Sequence, residues 1–334
     1  MTCDLSAGGA ERLVLELCRR RASDVEVEVA TVMGAGPLED AFRDAGVPVT
    51  IGGRPRKHPG VRALARLVPA VSRADVVHTH LFAGDTWGRI AAVLARHPAV
   101  VTTEHNVDRD ETWQRGVRRA LAPVSRVVVA VSEAAARHVE GARDVRVVPN
   151  GVDLDRLARA APVDVWSGTG MRLLAVGRRV PQKGFDVLVE ALPEGVELAI
   201  AGEGPFVREH PRVRWLGRRE DVPGLLAAAD ALAVPSRWEG FGIAAAEGLA
   251  AGMPVVASAV DGLVEVVGDA GLLVPPGDVA ALRAALVRLR DDPALRRRLG
   301  EQGRARAARF SIDRTVSAYD AIYREVAPRF RDVS

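Results

Sequence analysis

Two glutamates flank a glycine-rich turn in the segment Glu239-Gly-Phe-Gly-Ile-Ala-Ala-Ala-Glu247. The pattern predicts a helix that begins near Gly242, with Glu239 in the preceding loop and Glu247 in the second turn. Carboxylates accept hydrogen bonds from sugar hydroxyls, and the N–H groups at a helix start attract phosphate. The segment indicates a site for a sugar nucleotide, although two solvated glutamates would have the same spacing.

A loop with two cations lies in Val176-Gly-Arg-Arg-Val-Pro-Gln-Lys-Gly184. Arg178 and Lys183 precede a helix predicted to begin near Phe185, and cations at such a position suit a diphosphate. The chain has 46 basic Lys and Arg residues, but lysine occurs only at positions 57 and 183. A lysine in this loop is therefore informative, and a solvated cationic loop is the alternative.

Other glycines are dispersed along the chain. Gly8-Gly9 precedes a predicted helix. Gly202-Glu203-Gly204-Pro205 matches half of a dinucleotide-binding motif, but Pro205 makes this segment a turn. No complete G-x-G-x-x-G or P-loop motif is found in the sequence. An ordinary dehydrogenase and a P-loop enzyme are therefore not supported.

Short apolar runs alternate with helical patterns, which is typical of parallel sheets covered on both faces. Predicted strands cover 25–32, 76–80, 100–103, 127–131, 145–148, 173–176, 198–201, 213–216, 231–234, 255–257 and 271–274. Predicted helices include 11–20, 186–192, 221–229, 279–289 and 312–326. A polar stretch at 162–170 separates the two series, so the sequence predicts an α/β protein with two Rossmann-like domains.

Composition narrows the class of protein further. The 334 residues are 48% hydrophobic, which is enough for two cores, and the net charge is only +3. The aromatic interleaving of a nucleic-acid surface is absent from the sequence. Cys3 and Cys18 are too few for a disulfide framework, and neither a signal peptide nor a membrane-spanning run is found in the sequence. We therefore expect a cytoplasmic protein that binds no nucleic acid.

Two groups of residues resemble metal sites. Asp153-Leu-Asp155 matches a short metal-binding aspartate motif, and His78 and His80 share a strand face that could combine with His105. Helix capping by the aspartates and strand-end packing by the histidines are the favoured alternatives.

A basic patch in the first half comprises Arg54-Pro-Arg-Lys-His58 with Arg62 and Arg66. It could contact a membrane surface or an anionic acceptor. A solvated charged face is favoured over peripheral membrane contact.

Eight segments together resemble the family 4 retaining glycosyltransferases, which have the two-domain GT-B architecture. They are Gly8–Arg12, His78–Phe82, Thr103–Asn106, Val131–Glu133, Pro149–Asp153, Val176–Gly184, Ala201–Pro205 and Ser236–Glu247. The likeness extends over nearly the whole chain, and the joint order of the segments is far more specific than any one of them.

The resemblance implies a role for particular residues. Arg178 and Lys183 would bind the diphosphate and stabilise the leaving group, Glu239 would contact sugar hydroxyls, and His105 would lie near the reacting carbon. These four form the implied catalytic set. The implied donor-binding set is Gly8, Gly9, Gly177, Arg178, Lys183, Gly202, Arg218, Glu239, Gly240, Phe241, Gly242, Ile243 and Glu247.

The resemblance also implies a reaction. A hexose would move from a nucleotide diphosphate, with UDP favoured over GDP, to a hydroxyl of a small-molecule, glycan or lipid-linked acceptor, without metal or cofactor. Residues 1–160 would bind the acceptor, 161–311 the donor, and the helix in 312–334 would pack back on the first domain. An epimerase, a sugar phosphorylase and a non-catalytic sugar-nucleotide-binding subunit are the alternatives.

The N-terminus departs from the family pattern, because only five residues precede Ser6 where a full central strand is expected. A missing central strand would leave backbone groups of both neighbouring strands unpaired. We expect either a start upstream of Met1 or a locally weakened first domain.

Overall fold

The computed structural model describes residues 1–6, 8–53, 61–105 and 112–327, with only the backbone described at positions 61 and 62. The residues form two compact units. Unit 1 comprises Met1–Asn150 and Asp313–Ser334, and unit 2 comprises Gly151–Ile312.

The helices of the described residues are α1 (Gly9–Arg19), α2 (Glu39–Asp44), α3 (Val61–Arg73), α4 (Phe82–Ala95), α5 (Thr112–Leu121), α6 (Glu133–Ala136), α7 (Leu154–Ala158), α8 (Phe185–Ala191), α9 (Val222–Ala228), α10 (Ile243–Ala250), α11 (Asp261–Val267), α12 (Val279–Asp291), α13 (Pro293–Ala307) and α14 (Ile312–Val326). Short 3₁₀ turns cover Ala122–Val124, Pro181–Lys183 and Ala308–Phe310.

The strands of the described residues are β1 (Val29–Thr31), β2 (Val49–Ile51), β3 (Val77–His80), β4 (Val100–Glu104), β5 (Val127–Ala130), β6 (Val145–Val147), β7 (Met171–Val176), β8 (Val196–Ala201), β9 (Val213–Gly217), β10 (Ala231–Val234), β11 (Val255–Ser258) and β12 (Leu272–Val274). All the strand pairs are parallel, which confirms the predicted α/β class.

Unit 1 contains a four-stranded sheet in the order β3-β4-β5-β6 and a separate pair, β1-β2. Helix α14 covers one face of the larger sheet, where Tyr319, Ile322 and Val326 pack against Val101 and Val129. Burial of this apolar face, at about 25 cal/mol per Å², explains why a helix so late in the chain belongs to the first unit.

The first residues of the chain lie between β1 and β3. The Thr2 N–H donates to the Ala30 carbonyl at 3.0 Å, and the Val32 N–H donates to the Thr2 carbonyl at 3.1 Å. On the other side, the His80 N–H donates to the Met1 carbonyl at 2.9 Å. Residues 1–3 therefore hydrogen-bond to both strands that the sequence analysis expected to lack a central partner.

Unit 2 contains a six-stranded sheet in the order β12-β11-β10-β7-β8-β9. Its core is mainly aliphatic and includes Leu173, Leu188, Leu198, Ile200 and Leu286. The chain runs outward from β7 to β9, returns to place β10 beside β7, and then runs outward to β12. The loops after β7 and β10 therefore diverge at a topological switch point, where such sheets bind ligands.

One strand prediction needs correction, and one strand was not predicted. The strand predicted over 25–32 is only the three residues of β1, because its partner β2 is equally short and offers three paired positions. The sequence analysis did not predict β2. The predicted bounds of α14 agree with the structure, and Asp278 caps α12 by accepting from the Ala281 N–H at 2.9 Å, as expected.

None of the helices in the described part of the chain is long and apolar enough to cross a bilayer.

Candidate functional site

The loops that follow β7 and β10 bring together Lys183 and Glu239, two residues of the predicted catalytic set. Lys183 lies in the 3₁₀ turn after β7, and Glu239 lies in the loop between β10 and α10. Their side chains form an ion pair between Lys183 Nζ and Glu239 Oε1. Adjacent parallel strands end at the same edge, so residues 56 positions apart become neighbours.

Glu239 is held from a second direction by Ser236, whose hydroxyl donates to Oε1 at 2.8 Å. The side chains of Lys183 and Glu239 are 20% and 10% exposed, so both groups are held and still reachable. Oε2 of Glu239 accepts no hydrogen bond from the described residues. One of the three N–H groups of Lys183 donates to Glu239, so two N–H groups and the lone pairs of Oε2 are available to a ligand.

Backbone packing at Gly184 fixes the approach of the two loops. Gly184 has φ +65°, and a Cβ at this position would overlap the carbonyl oxygen of Pro235. The Gln182 side-chain amide donates to the Trp238 carbonyl at 3.1 Å. The loop of Lys183 therefore contacts the loop of Glu239 directly.

Substitution of Gly184 by alanine is expected to destabilise unit 2 by about 2–4 kcal/mol, because the change adds a steric overlap to an unfavourable φ. Gly277→Ala is the matched control. Gly277 has φ +79° with no atom within 4 Å of the added Cβ, so only about 1 kcal/mol is expected. Urea unfolding of both variants measures the difference, and equal losses would contradict the role of close packing.

Backbone hydrogen bonds also connect the ends of β7, β8 and β9. The Gly177 N–H donates to the Ala201 carbonyl at 2.9 Å, and the Gly202 N–H donates to the Gly217 carbonyl at 2.7 Å. Gly202 has φ +147°, and a Cβ there would overlap the Gly177 carbonyl. Glycine is therefore required where the strand ends crowd together.

Two arginines from the predicted site follow these glycines. Arg178 is exposed, and its guanidinium makes no hydrogen bond or ion pair with the described residues. Arg218 forms an ion pair with Glu220 at 3.2 Å. Both lie at the carboxyl edge of the sheet, so the structure places them with Lys183 on one edge of unit 2.

The start of α10 supplies backbone donors at the same edge. Gly242 is the N-cap residue with φ +96°, and no described side chain caps the helix, so the first N–H groups, from Ile243 onward, lack side-chain acceptors. Phe241 is buried against Phe310 with ring centroids 5.4 Å apart, which anchors the turn beside Gly240. Glu247 lies in the second turn of α10, as predicted.

Three predicted residues belong to unit 1. Gly8 is the N-cap residue of α1, and Gly9 is its first residue. The loop is held by buried Glu11, which accepts from the Ser6 hydroxyl at 2.9 Å. His105 follows β4, and its Nε2 lies 3.0 Å from Nδ1 of buried His80.

The histidines form a hydrogen-bonded cluster with residues of β4 and α14. His78 Nδ1 lies 2.6 Å from the Tyr323 hydroxyl, and His78 Nε2 lies 2.7 Å from Thr103 Oγ1. With both ring nitrogens so engaged, His78 has no lone pair directed elsewhere. Among the described residues, no group of three or more His, Cys, Asp or Glu side chains could hold a metal ion.

Burial lowers the pKa of His105 from 6.5 to about 4, and it holds the pKa values of His78 and His80 well below 6.5. The unfolded chain therefore binds more protons than the folded protein below pH 6.5. Stability should be unaffected by these groups above that pH and should fall as pH drops toward 4, by about 1.4 kcal/mol per pH unit for each histidine.

Urea unfolding between pH 7.5 and 5.0 tests this dependence. The His105→Asn variant should lose about one histidine's share of the slope, whereas exposed His138→Asn serves as the control. Parallel curves for the wild type and His105→Asn would contradict the assignment.

Two contacts of the predicted site residues were not predicted from the sequence: that of Ser236 with Glu239 and that of His80 with His105. Ser236, three residues before Glu239, was not predicted as a site residue, and His80 was considered only as a metal ligand or a packing residue. Asp153 caps α7 by accepting from the Arg156 N–H at 2.9 Å, as the sequence analysis favoured. The basic patch at 54–58 lies outside the described residues.

Comparison with known proteins identifies the family of the chain. The family described as "Glycosyltransferase Family 4" matches residues 7–156, and "Glycosyl transferases group 1" matches residues 170–292. The fold and the matched regions define a glycosyltransferase of the GT-B class. The chain belongs to glycosyltransferase family 4, as the sequence analysis predicted.

Curated relatives match over nearly the full length. The D-inositol 3-phosphate glycosyltransferase of Xylanimonas cellulosilytica is 33% identical over 97% of this chain and 93% of its own. The phosphatidyl-myo-inositol mannosyltransferase of Mycobacterium tuberculosis is 31% identical over 96% of this chain and 94% of its own.

Solved structures share the fold at lower identity. HepE of Anabaena, solved with UDP and glucose, is similar with a TM-score of 0.84 at 22% identity, covering 96% of this chain and 98% of its own. Sucrose-phosphate synthase of Thermosynechococcus elongatus is similar with a TM-score of 0.78 at 22% identity, covering 97% of this chain and 98% of its own.

Proposed function

We propose that this glycosyltransferase moves a hexose, with retention of configuration and without a metal ion, from a nucleotide diphosphate to a hydroxyl acceptor. UDP is the favoured nucleotide. The observation that carries the proposal is the Lys183–Glu239 pair at the switch point of unit 2, on the same sheet edge as Arg178. A cation and a carboxylate in contact can hold the phosphate and the sugar on either side of the bond that breaks.

Charge development explains why these groups suit the reaction. As the glycosidic bond stretches, negative charge grows on the departing phosphate and positive charge grows on the anomeric carbon. Lys183, Arg178 and the N–H groups at the start of α10 would stabilise the phosphate, and such preorganised donors lower the barrier. Glu239 would accept from a sugar hydroxyl through Oε2, and Glu247 would bind the ribose.

Retention follows in this proposal from acceptor entry on the leaving-group face. The acceptor hydroxyl would transfer its proton to the departing phosphate oxygen, so no enzymic nucleophile is needed, unlike the carboxylate pair of retaining glycosidases. His105 would lie near the reacting carbon as a neutral imidazole, because its pKa is about 4. It could then orient a hydroxyl but would not supply a proton at neutral pH.

The names of the relatives suggest acceptors to examine first. One is a D-inositol 3-phosphate glycosyltransferase and the other is a phosphatidyl-myo-inositol mannosyltransferase. An inositol phosphate, free or linked to lipid, is the acceptor class that we propose.

The cytoplasmic location expected from sequence stays a prediction.

A two-stage experiment tests the proposal. Thermal shifts with UDP, GDP, UDP-glucose, UDP-N-acetylglucosamine and GDP-mannose identify the donor, since a ligand that binds only the folded state raises Tm. Transfer to D-inositol 3-phosphate and phosphatidylinositol is then measured with and without EDTA, and NMR reads the anomeric configuration. The proposal fails if no donor raises Tm, if EDTA abolishes transfer, or if the product is inverted.

A further inference from the structure

A second ion pair connects the loops that carry Lys183 and Glu239. Arg237, two residues before Glu239, donates from Nη1 and Nη2 to the two carboxylate oxygens of Asp186 at 2.8 and 2.6 Å. Asp186 lies in the first turn of α8, three residues after Lys183. The pair is bidentate, which is the geometry in which an arginine–carboxylate contact is most specific.

Arg237 also bonds to the backbone of the opposite loop. Its N–H donates to the Gln182 carbonyl at 2.8 Å, and Nη1 donates to the Pro181 carbonyl at 2.7 Å. Through its backbone N–H and its guanidinium, Arg237 therefore contacts three features of the other loop: Pro181, Gln182 and the start of α8. The hydrogen bonds from Arg237 also lower the pKa of Asp186 below its usual value, so the pair is charged in neutral solution.

The Arg237–Asp186 ion pair contributes most to the positions of the two loops when a donor is bound. In the proposed function, Lys183 and Glu239 direct hydrogen bonds to the phosphate and the sugar, and their mutual bond then contributes less to holding the loops together. The bonds of Arg237 involve neither Lys183 nor Glu239. A displacement of about 1 Å at a reacting centre can cost on the order of 10²-fold in rate.

We propose that Arg237, through Asp186, is a positioning residue that keeps Lys183 and Glu239 in register for glycosyl transfer. This inference rests on the proposed function of those two residues. Arg237 itself touches neither the donor nor the acceptor in this proposal.

The same unit offers a matched control pair. Arg172 donates to Asp230 from Nε and Nη2 at 3.3 and 3.2 Å, at the amino end of β7 and hence at the opposite edge of the sheet. The side chains of Arg172 and Asp230 are 36% and 30% exposed, against 34% and 42% for Arg237 and Asp186. The two pairs are therefore similar in exposure and lie at opposite edges of the sheet.

The test compares Arg237→Ala, Asp186→Ala and their double variant with Arg172→Ala, Asp230→Ala and their double variant. Turnover of each variant is measured well below its Tm. The donor is the nucleotide sugar that the wild-type protein uses fastest among those in the thermal-shift panel. Loss of positioning should lower kcat about 10- to 100-fold in the Arg237 series, with KM changing less than threefold. The double variant should be no slower than the slower single variant, and the Arg172 series should stay within about twofold of the wild type.

Amide hydrogen exchange of the unliganded protein supplies a readout that needs no donor. Exchange in 178–184 and 235–240 should accelerate at least fivefold in Arg237→Ala and should not change in Arg172→Ala. If Arg237→Ala does not fold, Asp186→Asn, which keeps the shape and one acceptor oxygen, takes its place in both measurements.

Unchanged loop exchange in the Arg237 series, or turnover within twofold of the wild type, would overturn the inference, as would equal losses in the Arg172 series. A wild-type protein that neither binds nor uses any nucleotide sugar would instead refute the proposed function. In that case hydrogen exchange alone decides whether Arg237 fixes the two loops.

Discussion

Substitution of Lys183 by alanine is expected to lower kcat about 10²- to 10³-fold, since the phosphate would lose a preorganised cation as its negative charge grows. The affinity for UDP should also weaken, by about tenfold, because the same ammonium group contacts the diphosphate before the reaction. Steady-state kinetics and calorimetric titration with UDP measure the two effects.

The stability of the Lys183→Ala protein must be measured alongside, because Glu239 would lose its cationic partner while only 10% exposed. Assays below the Tm of the variant remove this contribution. Arg297→Ala, at an exposed position in α13 of the same unit, is the control for loss of one positive charge. Turnover within threefold of the wild type would refute the role of Lys183 in leaving-group stabilisation.

Substitution of Glu239 by glutamine should weaken binding of the donor sugar without weakening binding of the nucleotide. The amide keeps one oxygen for Lys183 and Ser236, but an NH₂ group replaces the oxygen that would accept from a donor-sugar hydroxyl. We expect kcat/KM for the nucleotide sugar to fall about 10- to 100-fold, since hydrogen bonds to charged groups contribute about 1.5–3 kcal/mol. The affinity for UDP, which carries no hexose, should change less than about threefold.

Comparison of the two variants separates their roles. Lys183→Ala weakens binding of UDP and of the nucleotide sugar, whereas Glu239→Gln weakens only the latter. Exposed Glu301→Gln in α13 controls for the loss of a negative charge. Equal losses of UDP affinity and turnover in Glu239→Gln would show that this carboxylate acts through Lys183 and not on the sugar.

Much of the fold of unit 2 was predictable, because its strands are short apolar runs whose pattern is local. The strand at Ala231–Val234, the capping of α12 by Asp278 and the start of α10 beside Gly242 agree with the structure. The strand predicted over 25–32 was wrong in length. Its extent depends on a partner, Val49–Ile51, that no pattern within residues 25–32 could indicate.

The sequence by itself determined which residues have the chemistry of the site: Lys183 in an arginine-rich chain, the glutamates around Gly242, and glycines where strands end. Only the tertiary structure decided which of them meet. The order β10-β7 pairs Lys183 with Glu239, and Arg237 with Asp186. Strand order is set by burial over a whole sheet, so contacts between loops some fifty residues apart have no local signature.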